Sequence, residues 1–169
     1  EIMPSLVGSE MCIRDRLKTY LHSLAIITSA LDYVGIEFSL FSFSGSYLTL
    51  IKGPQTPFNL VTKERIAGLK ADGGTPLGEI LSRIYNLEIF ERMIIITDGK
   101  PQDPLLAIKY IKKMRSAGKK IGVLLLNEWD DFIKNDFYRE LTNIPNSFII
   151  VRDIYDLPIN FFKLLSYMK

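Results

Sequence analysis

The sequence predicts an α/β domain built on a doubly wound, mostly parallel sheet. Two observations carry this. Met93-Ile94-Ile95-Ile96 and Ile121-Gly122-Val123-Leu124-Leu125-Leu126 are apolar without alternation, as strands covered by helices on both faces must be. From Pro76 to the end, helix-period and strand-like segments alternate, the pattern of repeated βα units.

The whole-chain numbers agree with one such unit. A chain of 169 residues, 47% hydrophobic and 24% charged, has enough apolar side chain for one core and too little length for two ordinary domains. Twenty-one Lys and Arg against nineteen Asp and Glu leave a net charge of +2, too weak a field for a dedicated nucleic-acid binder. The single cysteine, Cys12, excludes an intrachain disulfide and a zinc-finger spacing, and fits a reducing, cytoplasmic setting. No apolar run reaches the roughly 18 to 20 residues needed to cross a bilayer, so no membrane association is expected.

Taken in order, Leu17 to Val34 places Leu17, Leu21, Leu24, Ala25, Thr28 and Leu31 at three- and four-residue intervals, one buried helix face. Gly35 stops that helix in the left-handed position. Ile36 to Phe43 and Tyr47 to Ile51 read as neighbouring strands turning at Gly45 and Ser46. After the loop Gly53-Pro54-Gln55-Thr56-Pro57 comes a short helix, Asn59 to Leu69. Helices then follow at Pro76 to Leu87, Pro104 to Ala117, Asp131 to Leu141 and Leu157 to Tyr167, with strands at Met93 to Thr97, Ile121 to Leu126 and Phe148 to Val151. The helix at Pro104 has a candidate cap in Asp103, proline at its first position, and Lys112, Lys113 and Arg115 ahead of a stop at Gly118. Its apolar face is expected to be Leu105, Ile108, Ile111 and Met114. Lys109, Lys112, Lys113, Arg115, Lys119 and Lys120 read as a solvated face.

Residues 1–16 have neither a settled period nor a clear cap, and are set apart from a single α/β domain spanning 17–169. Ser5 to Arg16 resembles a translated sequencing-adapter read of the kind found at the ends of metagenomic gene fragments. A doubly wound domain of this kind begins with a central strand, and Ile2 to Val7 are the residues on hand for one. The first strand is therefore expected to be missing or replaced.

Ligands of open parallel sheets bind beyond the carboxyl ends of the strands, and two segments fall there. Ala71-Asp72-Gly73-Gly74-Thr75-Pro76-Leu77-Gly78-Glu79 is a glycine-rich loop entering a helix, with Thr75 at the expected cap. Ile94-Ile95-Ile96-Thr97-Asp98-Gly99-Lys100-Pro101 is a buried strand ending in a carboxylate and a tight turn. By itself Thr75 is explained as a helix cap and Asp98 as a turn residue. His22, within the first helix, has no second His or Cys at ligand spacing. Trp129 is expected to pack under the following helix, and Asp130, Asp131 and Asp136 suit a helix N-terminal region.

Together, Gly73-Gly74-Thr75-Pro76-Leu77-Gly78 and Ile96-Thr97-Asp98-Gly99 resemble the second and third motifs of the metal-ion-dependent adhesion site (MIDAS) of von Willebrand factor A (vWA) domains. The Leu17 to Val34 helix and the strand ending at Phe43 further resemble the intracellular branch of that family, which includes metal-chelatase and carbon-monoxide-dehydrogenase accessory subunits. The resemblance runs from about Leu17 to Lys169. It implies a Rossmann-like fold and a non-enzymatic protein-interaction function in a multisubunit assembly, with a protein partner such as an AAA+ ATPase. It also implies Mg²⁺ or Mn²⁺ held by oxygen ligands, Thr75 giving the hydroxyl and Asp98 a carboxylate, with one position open for a partner's acidic side chain. Hard divalent cations do prefer such ligands.

The family's first motif, Asp-x-Ser-x-Ser, has no match. Leu6-Val7-Gly8-Ser9-Glu10-Met11 stands in its place, and the serines of Phe43-Ser44-Gly45-Ser46 lack a preceding aspartate and follow the wrong strand. The metal site is thus incomplete, with weak binding or none expected. Two alternatives stay open. One is an Mg²⁺-dependent phosphate-handling enzyme, in which Gly73-Gly74-Thr75 cradles an anion at a helix N-terminus, although no G-x-x-x-x-G-K-[ST] loop and no Asp-x-Asp pair after an early strand is present. The other is a scaffold whose site has decayed.

Overall fold

The structure, a computed structural model, describes residues 10–44, 47–69, 74–87, 90–98, 100–126 and 135–168, for 10–16 and 44 the backbone alone. Helix α1 spans Glu10–Tyr33, starting upstream of the expected Leu17. Its buried face is Tyr20, Leu21, Leu24, Ile27 and Leu31, and His22 is exposed. The helix ends as the sequence suggests. Gly35 has φ +71°, its N–H donates to Asp32 O at 3.0 Å, and Ile36 N–H donates to Leu31 O at 2.9 Å. This pair of bonds satisfies the last carbonyls of the helix and needs a residue that tolerates positive φ.

Strands β1 (Leu40–Ser44) and β2 (Tyr47–Lys52) form an antiparallel ribbon. β1 begins later than the expected Ile36 because Leu40 pairs with Lys52, the last residue of β2, and the chain turns away at Gly53 and Pro54. The carbonyl of Phe38 is satisfied by a side chain instead of a ladder. The buried Lys52 ammonium donates to Phe38 O (3.3 Å), Gly53 O (3.1 Å) and Pro54 O (3.4 Å) and lies 4.1 Å from the Phe38 ring centroid. Three acceptors and a ring face compensate a cation that burial would otherwise penalise.

Helices α2 (Leu60–Ala67) and α3 (Leu77–Leu87) precede β3 (Arg92–Thr97). Then come α4 (Pro104–Ser116), β4 (Lys120–Leu126), α5 (Asp136–Thr142), β5 (Phe148–Val151) and α6 (Leu157–Tyr167). Asn59 caps α2 by accepting from Thr62 N–H, and Asn135 caps α5 by accepting from Phe137 N–H. The expected start of the latter helix at Asp131, and the placement of Trp129, lie outside the described residues, as does the turn at Gly45 and Ser46. α4 buries Ala107, Ile108, Ile111 and Met114, whereas Leu105 is 66% exposed. Ile108, Ile111 and Met114 are buried as expected, and in place of Leu105 it is Ala107, too small to mark a hydrophobic stripe, that meets the core. Gly118, with φ +82°, closes α4 with the same bond pattern that closes α1.

β3, β4 and β5 form a parallel sheet in that order, Thr97 opposite Leu125 and Leu126 opposite Val151. Alternate residues enter different cores, the signature of a sheet covered on both faces. Ile96, Leu124 and Val151 pack with α1 and α6, while Ile95, Ile121, Val123 and Leu125 pack with α3, α4 and α5. Gly122 lies against α6, where an added Cβ would meet Leu164 at 2.8 Å. The ribbon contributes to the same two cores, Ile51 to the first and Phe43 to the second. No ladder among the described residues joins it to β3. The segment Ile2 to Val7, considered above as a first strand, lies outside the described residues. No helix among the described residues is long and apolar enough to cross a membrane.

The basic residues of α4 are engaged as well as solvated. Lys113 lies over Tyr85, and Arg115 donates to Ile121 O and Pro145 O. Lys112 pairs with Glu140 of α5 at 2.8 Å. Hydrogen bonding and attraction from Lys112 hold the Glu140 carboxyl below its usual value. A lowered carboxylate pKa stabilises the fold above the unfolded-state value, and the contribution is lost as pH falls through the folded-state value. In Lys112→Met, the Glu140 carboxyl followed by NMR is expected to titrate at higher pH than in the parent, toward the ordinary carboxylate range. An unchanged titration would show that the pair does not form.

Candidate functional site

The carboxyl ends of β3, β4 and β5 point the same way because the strands are parallel. Asp98 directly follows β3 and is partly exposed, next to the buried Thr97. Its Oδ1 accepts the Lys100 N–H at 3.1 Å, a local turn that orients the carboxylate. Gly99, Gly73 and residues 70–72 lie outside the described residues.

Thr75 is buried, 5% exposed, but it is not the cap of α3. Pro76 holds that position, its carbonyl accepting the Ile80 N–H at 3.1 Å. The Thr75 carbonyl takes two donors, Leu77 N–H and Gln102 N–H, both at 2.9 Å. The second of these bonds joins the turn before α3 to the turn after β3. The turn before α3 is thus tied to Gln102, just beyond the second segment singled out in the sequence.

A second set of bonds reinforces that junction. Asp103, expected to cap α4, makes no side-chain bond to its own helix. It caps α3 instead: Oδ1 accepts from Gly78 N–H at 2.9 Å and Oδ2 from Glu79 N–H at 3.0 Å. A carboxylate at a helix N-terminus satisfies orphan donors and meets the positive end of the dipole. Packing is tight at two glycines, of which Gly78 meets fixed atoms and Gly74 the end of a flexible side chain that can move aside. A Cβ on Gly78 would lie 2.7 Å from Ala107 N and Leu106 Cβ, and one on Gly74 would lie 2.1 Å from the Gln102 side-chain nitrogen.

The arrangement can offer oxygen ligands. Thr75 is buried, and its hydrogen bonds to Leu77 and Gln102 run through its carbonyl, not its hydroxyl. The Asp98 carboxylate, which accepts the Lys100 N–H, is a second oxygen donor. Glu79 is committed to Arg83. Among the described residues no group of three or more His, Cys, Asp or Glu is placed to hold a metal ion. A hydroxyl and a carboxylate fit Mg²⁺ or Mn²⁺ in kind and supply two ligands, and Mg²⁺ is commonly bound through one or two carboxylates with several waters retained. Asp103 and Gln102 were missed as site residues by sequence reasoning. Asp103 sits at the start of one helix while serving another, and local pattern carries no trace of that.

No family model matches the chain, and no curated protein matches it. Among solved structures it is similar to the crystal structure of the manganese-loaded Plasmodium vivax TRAP protein, at 13% sequence identity and a TM-score of 0.57, covering 88% of this chain and 67% of that one. The likeness is one of fold. The mixed α/β layer, with its parallel sheet flanked by helices, is consistent with a Rossmann-like vWA fold.

Proposed function

We propose that this domain is a non-enzymatic protein-interaction module whose Thr75 and Asp98 end takes Mg²⁺ or Mn²⁺ and offers it to an acidic side chain of a protein partner. The observation that carries the reading is the hydrogen-bonded junction between the Thr75 turn and the Asp98 turn, with the Thr75 hydroxyl buried beside it. The metal would supply a cationic anchor for the partner's carboxylate, and the chain would supply one hydroxyl and one carboxylate to hold it. The manganese-loaded state of the structural neighbour supports the choice of ion. A cytoplasmic multisubunit assembly, with an AAA+ ATPase as partner, is the setting we propose by the sequence resemblance to the metal-chelatase branch.

The phosphate-handling alternative is disfavoured by Asp103. An anion cradled at the N-terminus of α3 would need amides that Asp103 already occupies, and a second negative group there would meet carboxylate repulsion. The test is Mn²⁺ titration followed by electron paramagnetic resonance. Saturable one-site binding, displaced by Mg²⁺ and lost in Asp98→Ala, is the expected result. No saturable binding by the parent chain, or equal binding by the variant, would remove the metal from the reading.

A further inference from the structure

We infer that Asp103 is the positioning residue of the candidate metal site, a carboxylate that touches no ion and fixes the two turns that would. This rests on the metal-site reading above. Three of the bonds that cross from the 98–103 segment to the 74–79 segment are Gln102 N–H to Thr75 O, Gly78 N–H to Asp103 Oδ1 and Glu79 N–H to Asp103 Oδ2. Two of the three belong to one side chain. Those two hold a charged acceptor between neutral amides, so they are the stronger members of the set.

The geometry explains why a local cap would not serve. A serine or threonine in the Pro76 position would satisfy α3 without reference to the turn after β3. Asp103 reaches α3 from the far end of that turn, so the satisfied state of the helix exists only when the 98–103 segment is seated. Gln102 precedes it, with its side chain over Gly74, and its amide holds the Thr75 carbonyl. Release of Asp103 frees both bonds to α3 and leaves, of these three, the Gln102 bond. Thr75 and Asp98 then lose their fixed relation, although neither side chain has been altered. The same carboxylate fills the anion position of the helix, and so biases this end of the sheet toward cations.

The inference separates from a merely structural cap through two readouts on the full chain, parent against Asp103→Ala and Asp103→Asn. The first, amide hydrogen exchange without metal, is expected to show lost protection at Gln102 and Lys100 as well as at Gly78 and Glu79 in the alanine variant, and a smaller loss in the asparagine variant. The second, Mn²⁺ titration, is expected to show an affinity about 10- to 100-fold weaker in the alanine variant, as for other residues that orient metal ligands. Exchange confined to Gly78 and Glu79, or unaltered Mn²⁺ affinity in a parent that binds, would overturn the inference. A parent that binds no Mn²⁺ removes the metal reading, while the exchange at Gln102 and Lys100 still decides whether Asp103 fixes the two turns. Where Asp103→Ala does not fold, the asparagine variant carries both readouts.

Discussion

Gly78→Ala is expected to lower the stability of the folded domain by about 2 kcal/mol, read as a drop in the urea midpoint with an unchanged slope. The sign is not given by propensity, since alanine is favoured over glycine in a helix by about 1 kcal/mol. Space decides it. The new methyl would sit 2.7 Å from the Ala107 backbone nitrogen and from Leu106 Cβ, and 2.8 Å from Asp103 Oδ2. None of these is the loose end of a flexible side chain: one is backbone, one is fixed to backbone, and the third is held by Glu79 N–H at 3.0 Å. Relief therefore requires α3 and α4 to part, which costs about 1 to 3 kcal/mol in overpacked cores, and Asp103 to move, which costs about 1 kcal/mol of capping. The sum exceeds the propensity gain. A midpoint equal to that of the parent or higher would show that the two helices do not approach this closely.

This contact marks where the sequence was legible and where it was not. The parallel sheet could be read because Ile94 to Ile96 and Ile121 to Leu126 are buried on alternate faces by different helices, and that state leaves an unbroken apolar run. The ends of α1 and α4 could be read because Gly35 and Gly118 take the positive φ that a helix stop demands. The start of β1 could not, since it depends on where its partner β2 ends and on a lysine that satisfies Phe38 from outside the ladder. The role of Asp103 could not be read either. Its position predicts a cap for the helix that follows, and its actual partners are 24 and 25 residues earlier. Motif spacing found the two turns, and the bonds that join them are tertiary.

Thr75→Val separates an ion ligand from a structural threonine. The backbone duties of Thr75 pass through its carbonyl, which takes Leu77 N–H and Gln102 N–H, and valine keeps that carbonyl and the branched shape. Only the hydroxyl is lost. If that hydroxyl served as a helix cap, its removal would cost about 1 kcal/mol, but Pro76 holds the cap position and Asp103 takes the amides of Gly78 and Glu79. Among the described residues that hydroxyl has no bond to lose, and burying a polar group without a partner is itself unfavourable. Without metal, the variant is expected to unfold within about 0.5 kcal/mol of the parent, or to be slightly more stable. Its Mn²⁺ affinity is expected to fall at least about tenfold, equivalent to about 1.4 kcal/mol of binding free energy. The combination matters, since loss of both stability and affinity would mean that the hydroxyl holds the junction and affects the ion only through it. Retained affinity would assign Thr75 to packing alone and leave Asp98 as the one candidate ligand of the pair.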